Sequence, residues 1–173
     1  MLHVINTMEI WVEKCMVEVI AKSDVCTCDK CLKDIYALTL NRLKPNYIVS
    51  TKGINSEELD SKFEIVKGSI IDQINISIDK IKNNPKHNKD EVDEVTNCAE
   101  IYVEEYVPKI IEESDMCKCD ECINEVYKFV LNNIKPCYYV SKEGSIILNL
   151  KREEYRTAIF IETEKAIKYV KHH

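Results

Sequence analysis

A chain of 173 residues with 31% charged and 45% hydrophobic residues, three glycines and four prolines has the composition of a helical, soluble protein instead of a sheet-rich or disordered one. The net charge of −6, from 24 basic and 30 acidic side chains without a basic cluster, supplies none of the cations that displace counterions from a phosphate backbone, so no DNA or RNA partner is expected. Glu9, Glu13 and Lys14 interrupt the apolar N-terminus, and no stretch approaches the roughly 20 apolar residues a membrane span needs; neither a membrane nor an export signal is expected, and the reading is a cytoplasmic protein.

The first predicted element is an amphipathic helix, in which Ile5, Met8, Val12, Cys15, Met16, Val19 and Ile20 recur at helical spacing. A cysteine turn follows, Cys26-Thr27-Cys28-Asp29-Lys30-Cys31, with Asp29 placed to start a second helix that runs to Leu43 and must stop before Pro45. Tyr47-Ile48-Val49 reads as a short strand. A long helix is then expected from about Ser56, with Glu57 and Glu58 in its first turn and Leu59, Phe63, Val66, Ile70, Ile74, Ile78 and Ile81 along one side. Asn88-Lys89-Asp90-Glu91 reads as a linker.

After the linker the series begins again. A shift of 91 positions pairs Glu9-Ile10 with Glu100-Ile101, Cys26, Cys28 and Cys31 with Cys117, Cys119 and Cys122, and Leu40-Asn41 with Leu131-Asn132. It also pairs Lys44-Pro45 with Lys135-Pro136 and Gly53 with Gly144. Roughly two positions in five match between Glu9 and Gly53 without a gap, which marks an internal repeat of about 85 residues. The expected organisation is two repeats, 1–87 and 88–173. In the second, Ala99, Val103, Tyr106, Val107, Ile110 and Ile111 form the opening helix, Asp120 to Ile134 the next, Tyr138-Tyr139-Val140 the strand, and about Lys151 to Val170 the last helix. Pro108 stands where the first copy has Val17, and is expected to kink or split its helix.

Each repeat is near the size at which an apolar core alone is marginal and a metal helps. Three cysteines within six residues, among polar neighbours, favour a metal over a disulfide in a reducing compartment. Zinc takes four thiolate or imidazole ligands in a structural site, so each triplet lacks one. The expected fourth ligands are His87 for the first cluster and His172 or His173 for the second, carried back by the final helix of each repeat. Cys15 and Cys137 compete, but they align with Tyr106 and Asn46, so neither serves both copies. Cysteine-rich closed sites are structural rather than catalytic. There is no glycine-rich phosphate loop and no nucleophile with a matching base, so no enzyme is expected. Glu9 with Glu13, and Glu100 with Glu104, are the only paired acids worth naming, and read as solvated or capping charges.

The string Cys26-Thr-Cys-Asp-Lys-Cys31, Asp34, and Ala37-Leu-Thr-Leu-Asn-Arg-Leu-Lys-Pro-Asn-Tyr47, after a helix start of the form Asn6-x-Met8-Glu9, resembles the late competence development protein ComFB family. The second repeat is a more divergent copy. The resemblance implies a mostly α fold of two tandem helical repeats, each with a short strand and a zinc site, arranged as an intramolecular pseudo-dimer, since family members usually form homodimers. It further implies a cyclic dinucleotide, chiefly cyclic di-GMP, as ligand, at Lys33, Asp34, Asn41, Arg42, Lys44 and Tyr47. In that reading Lys33, Arg42 and Lys44 meet phosphates, Asp34 accepts from a guanine edge and Tyr47 stacks on a base. The second copy exchanges Lys33 for Asn124, Asp34 for Glu125 and Arg42 for Asn133. It also holds the acidic excess, 12 basic and 18 acidic residues against 12 and 12 in the first 87. A dinucleotide site would therefore be built mainly by the first repeat. The competing reading is a protein-interaction adaptor whose protein partner the residues do not name.

Overall fold

The structure, a computed structural model, describes residues 3–50, 55–85, 94–140 and 144–171. Its elements run β1 (Val4–Asn6), α1 (Thr7–Ile20), α2 (Asp29–Leu40), β2 (Tyr47–Val49) and α3 (Ser56–Asn83). They then recur as β3 (Val95–Asn97), α4 (Cys98–Glu113), α5 (Asp120–Asn133), β4 (Tyr138–Val140) and α6 (Gly144–Lys171). The expected mostly helical, duplicated architecture is what forms. No described helix is long and apolar enough to cross a membrane.

Each repeat is a long helix laid against two shorter ones. α3 packs on α1 and α2, and α6 packs on α4 and α5. At 28 residues, α3 is about 42 Å long, and it buries Phe63, Ile70, Ile74, Ile78 and Ile81 as the helical spacing predicts. Its first turn is capped by Asn55, whose side chain accepts from the Glu58 N–H at 3.3 Å. α2 ends earlier than expected, at Leu40. Asn41 bonds back to Ala37, but Arg42 and Leu43 bond back only three residues, to Thr39 and Leu40, tightening the turn before Pro45.

Three features depart from the sequence reading. Residues 4–6 are not the first turn of a helix but a strand, β1, antiparallel to β2 with Val4 opposite Val49 and Asn6 opposite Tyr47; β3 and β4 pair in the same register. The last helix of the second repeat begins at Gly144, earlier than Lys151, with no proline between them to stop it. Of the two outcomes expected at Pro108 the split does not occur, since α4 runs through it. Proline deprives the Glu104 carbonyl of its helical donor, but Glu104 and Pro108 both lie on the exposed side, where water satisfies that carbonyl.

The two cores are not assigned cleanly to the two repeats. The core of the second repeat, around Tyr102, Val103, Val126, Val130 and Ile159, includes Tyr47 and is flanked by Val4. The core of the first, around Val12, Ile35, Leu40, Ile70 and Ile74, includes Tyr138 and is flanked by Val95 and Val140.

Candidate functional site

Each cysteine triplet is pinned at both ends. Val25 and Met116, which precede the triplets, are buried in their own cores at 7% and 5% exposure. At the other end Cys28 and Cys119 are the N-caps of α2 and α5. Their carbonyls accept the first helical bonds, from Leu32 N at 3.1 Å and Ile123 N at 3.0 Å, and neither uses its side chain as a cap. Cys31 and Cys122 fall in the first turn. The result is two groups, Cys26, Cys28, Cys31 and Cys117, Cys119, Cys122, whose sulfurs all lie within 4.8 Å of one another. At a zinc–sulfur distance of 2.3 Å a tetrahedral set has sulfurs about 3.8 Å apart, so both triplets fit three corners of such a site.

Within each triplet the sulfurs shift one another's protonation. Burial, followed by the neighbouring Cys28 and Cys26 sulfurs, pushes Cys31 up to about 12. Cys119, held by its bond to the Cys122 backbone, is shifted down, whereas Cys122 is pushed up to about 12, first by its bond to Cys119. Three adjacent thiols cannot all ionise alone, and a divalent metal reverses that order by binding the thiolates. No further Cys, His, Asp or Glu joins either group among the described residues. The expected fourth ligands, His87 and His172, lie outside the described residues. Cys15 is buried in the first core, and Cys137 in the second.

A second constellation was not anticipated from the sequence. Asn132 Oδ1 accepts from the Tyr47 N–H at 2.8 Å and its Nδ2 donates to the Tyr47 carbonyl at 2.9 Å. Asn41 makes the same two bonds to Tyr138, at 2.7 and 2.8 Å. Between these asparagines, Tyr138 Oη donates to Glu9 Oε1 at 2.6 Å and Tyr47 Oη donates to Glu100 Oε1 at 2.8 Å. Asn6 and Asn97 each donate to the Tyr138 hydroxyl, and Asn97 also to that of Tyr47. Every member of this seam has its counterpart 91 residues away, and the bonds run reciprocally from one repeat to the other. Glu9 and Glu100 are therefore half-buried acceptors, not the solvated charges expected. Burial raises the Glu100 pKa, with the Tyr47 bond opposing it. Burial likewise raises both tyrosines, beside carboxylates that disfavour a second negative charge. The signal was present in the sequence, as identity between the copies at Asn6, Glu9, Asn41 and Tyr47.

The six residues expected to contact a ligand are distributed around this seam. Asn41 and Tyr47 belong to it, and Tyr47 is only 4% exposed. Asp34 and Asn41 line one cavity of about 340 Å³ between α2, the end of α3 and β4 of the other repeat, together with Lys80, Asn84 and Tyr139. Lys33 pairs with Asp29 at 2.7 Å and lines a different, open groove of about 850 Å³ with Glu13, Met16, Val17, Tyr36 and Val95. Arg42 donates to Gln73 at 2.6 Å. Lys44 lies at a third cavity, beside Trp11 and Ile65. Lys30 bridges the repeats, pairing with Asp34 at 3.7 Å and donating to the Val140 carbonyl at 3.3 Å.

The family model described as late competence development protein ComFB matches residues 5–85 and again residues 96–173. No curated protein and no solved structure matches the chain.

Proposed function

The chain belongs to the ComFB family, carrying the domain twice, and from that premise we propose a non-enzymatic signalling protein, held by two structural zinc ions, that acts as a receptor for a cyclic dinucleotide. The observation that carries the ligand is the cavity between the repeats. There Asp34 and Asn41 of α2 meet Lys80 of α3 and the Tyr139 ring of β4. A volume of about 340 Å³ accommodates a purine base with its sugar, half of a cyclic dinucleotide. A carboxylate accepts the two adjacent N–H groups of a guanine edge, whereas adenine offers one, so Asp34 favours guanine. Lys80 supplies a cation for a phosphate, and Tyr139 a face for stacking. Zinc is the metal that three thiolates at helix N-termini suit best, and a closed site of this kind contributes to folding instead of catalysis.

The test is calorimetric titration of cyclic di-GMP into metal-loaded protein. One ligand per chain is expected, with Asp34→Ala and Lys80→Ala each weakening binding about tenfold or more, as for the loss of a charged hydrogen bond. Loss with Lys33→Ala and Arg42→Ala but not with these two would move the site to the outer side of α2. No heat with cyclic di-GMP or cyclic di-AMP refutes the receptor.

A second reading, a protein-interaction adaptor, is favoured by the groove of about 850 Å³ on α1 and α2, whose lining is dominated by Met16, Val17, Ile20, Leu32 and Val95. Such a surface suits the apolar side chains of a protein partner better than a dianion.

A further inference from the structure

At one junction the two repeats differ by a paired exchange. In the first, Thr7 opens α1 beside Asn46, just before β2. The Thr7 N–H donates to the Asn46 carbonyl at 2.9 Å, the Thr7 hydroxyl donates to the same carbonyl at 3.0 Å and Asn46 Nδ2 donates to the Thr7 hydroxyl at 2.5 Å. Asn6 Oδ1 completes the joint by accepting from Asn46 N and Met8 N at 3.0 and 3.2 Å. In the second repeat, 91 residues on, Thr7 becomes Cys98 and Asn46 becomes Cys137. The backbone bond survives, Cys98 N to Cys137 O at 2.7 Å. The side-chain bonds do not. Asn97, the counterpart of Asn6, is left with its Oδ1 buried and unpartnered.

The two cysteines flank the last pair of the β3–β4 ladder, Cys98 following Asn97 as the first residue of α4 and Cys137 preceding Tyr138. They are 0% and 2% exposed and within hydrogen-bonding reach of each other. The direct backbone bond of 2.7 Å between them holds the two residues side by side, as a disulfide requires. Neither belongs to a metal triplet.

We propose that Cys98 and Cys137 are a redox site, a dithiol that hydrogen peroxide converts into a disulfide tying the start of α4 to the residue that leads into β4. The environment favours Cys137 as the attacking sulfur. Its bond from Cys98, helped by Tyr155, Lys151 and Tyr139, outweighs burial and lowers its pKa, while Cys98 is pushed up. In the first step the Cys137 thiolate takes one peroxide oxygen, the O–O bond breaks and hydroxide leaves as water with a proton. In the second, Cys98 Sγ attacks the sulfenic sulfur, the S–O bond breaks and a second water leaves. Two thiols are oxidised, one peroxide is reduced to two waters, and the first repeat, with Thr7 and Asn46, cannot follow.

The experiment treats the metal-loaded full chain with a stepwise excess of hydrogen peroxide, with released metal followed by a chromogenic chelator. The protein is then denatured, alkylated and mapped by mass spectrometry. The expected result is loss of two of the nine thiols, one linked peptide pair joining Cys98 to Cys137, reversal by dithiothreitol, and metals still bound. C98T/C137N, which restores the pair of the first repeat, is expected to fold with both metals and to lose the linked pair. The proposal is overturned if Cys98 and Cys137 remain alkylatable at peroxide doses that already release metal. A link to Cys15 or a triplet cysteine, or a Cys137 that stops at sulfinic acid, overturns it equally.

Discussion

Removing the Asn132 side chain tests whether the seam holds the repeats together. In Asn132→Ala the Tyr47 peptide loses an acceptor at 2.8 Å and a donor at 2.9 Å at once. A buried group left without its partner costs about 1–3 kcal/mol. Asn132 is half-buried and Tyr47 buried, so water replaces the lost bonds poorly, and about 2–4 kcal/mol is expected for the two. Against a typical net stability of about 5–15 kcal/mol, that is a large fraction. In urea, with a slope of about 2 kcal/mol/M, the midpoint of metal-loaded protein should fall by roughly 1–2 M with the slope unchanged. Asn132→Asp retains an acceptor for the N–H but turns a carboxylate oxygen toward the Tyr47 carbonyl, and should cost at least as much. Asn41 makes the equivalent bonds from an exposed position, so Asn41→Ala should cost less, about 1–2 kcal/mol. A midpoint change worth under about 0.5 kcal/mol in Asn132→Ala, within the range of an ordinary surface substitution, would refute the argument.

Four further outcomes follow from the same geometry. Metal analysis should give two ions per chain, with Cys28→Ser and Cys119→Ser each losing one and sparing the other; a single shared ion would overturn the two-site reading. A strong chelator should abolish most helical circular dichroism, because metal binding to such sites rivals the net stability of a domain. Burial raises Glu100 above the ordinary carboxyl value of 4.5, so the stability it contributes is complete below that value and is lost as pH rises through the folded-state pKa. Glu100→Gln keeps an acceptor for Tyr47 and should melt higher than the parent near pH 7, the difference shrinking toward pH 4.5; parallel melting profiles would contradict this. Ile74→Ala, at a fully buried position, should cost about 2–5 kcal/mol, whereas Ile65→Ala, at 82% exposure, should stay within about 0.5 kcal/mol.

The elements carried by local pattern were legible in the sequence. The helices announced themselves by apolar spacing and the triplets by their cysteines, because both signals are complete within a few residues. The strands β1 and β3 were not, since they run directly into a helix and Ile5 also fits the periodicity of that helix. The seam was hidden for a different reason. Its bonds join residues 41 to 132 positions apart, and nothing local distinguishes an asparagine that will cap its own helix from one that will clasp another repeat. Asn41 and Tyr47, read as ligand contacts, illustrate this, since the side-chain amide of one and the peptide groups and hydroxyl of the other are engaged within the protein. The Thr7–Asn46 and Cys98–Cys137 exchange was equally silent, because neither position looks unusual until its partner is known.

The traded tyrosines have an evolutionary consequence. Tyr47 completes the interior of the second half and Tyr138 that of the first, so either half on its own would present an empty socket to solvent. A single-domain ancestor of this design would have had to find a second copy by diffusion, and its folded fraction would have depended on how much of it the cell made. Tandem fusion converts that encounter into an intramolecular one at a fixed, high effective concentration, and folding becomes independent of dosage. It also releases the halves from having to be identical. Only the clasp must match, which leaves the other positions free to drift, and the second half has gained an acidic excess.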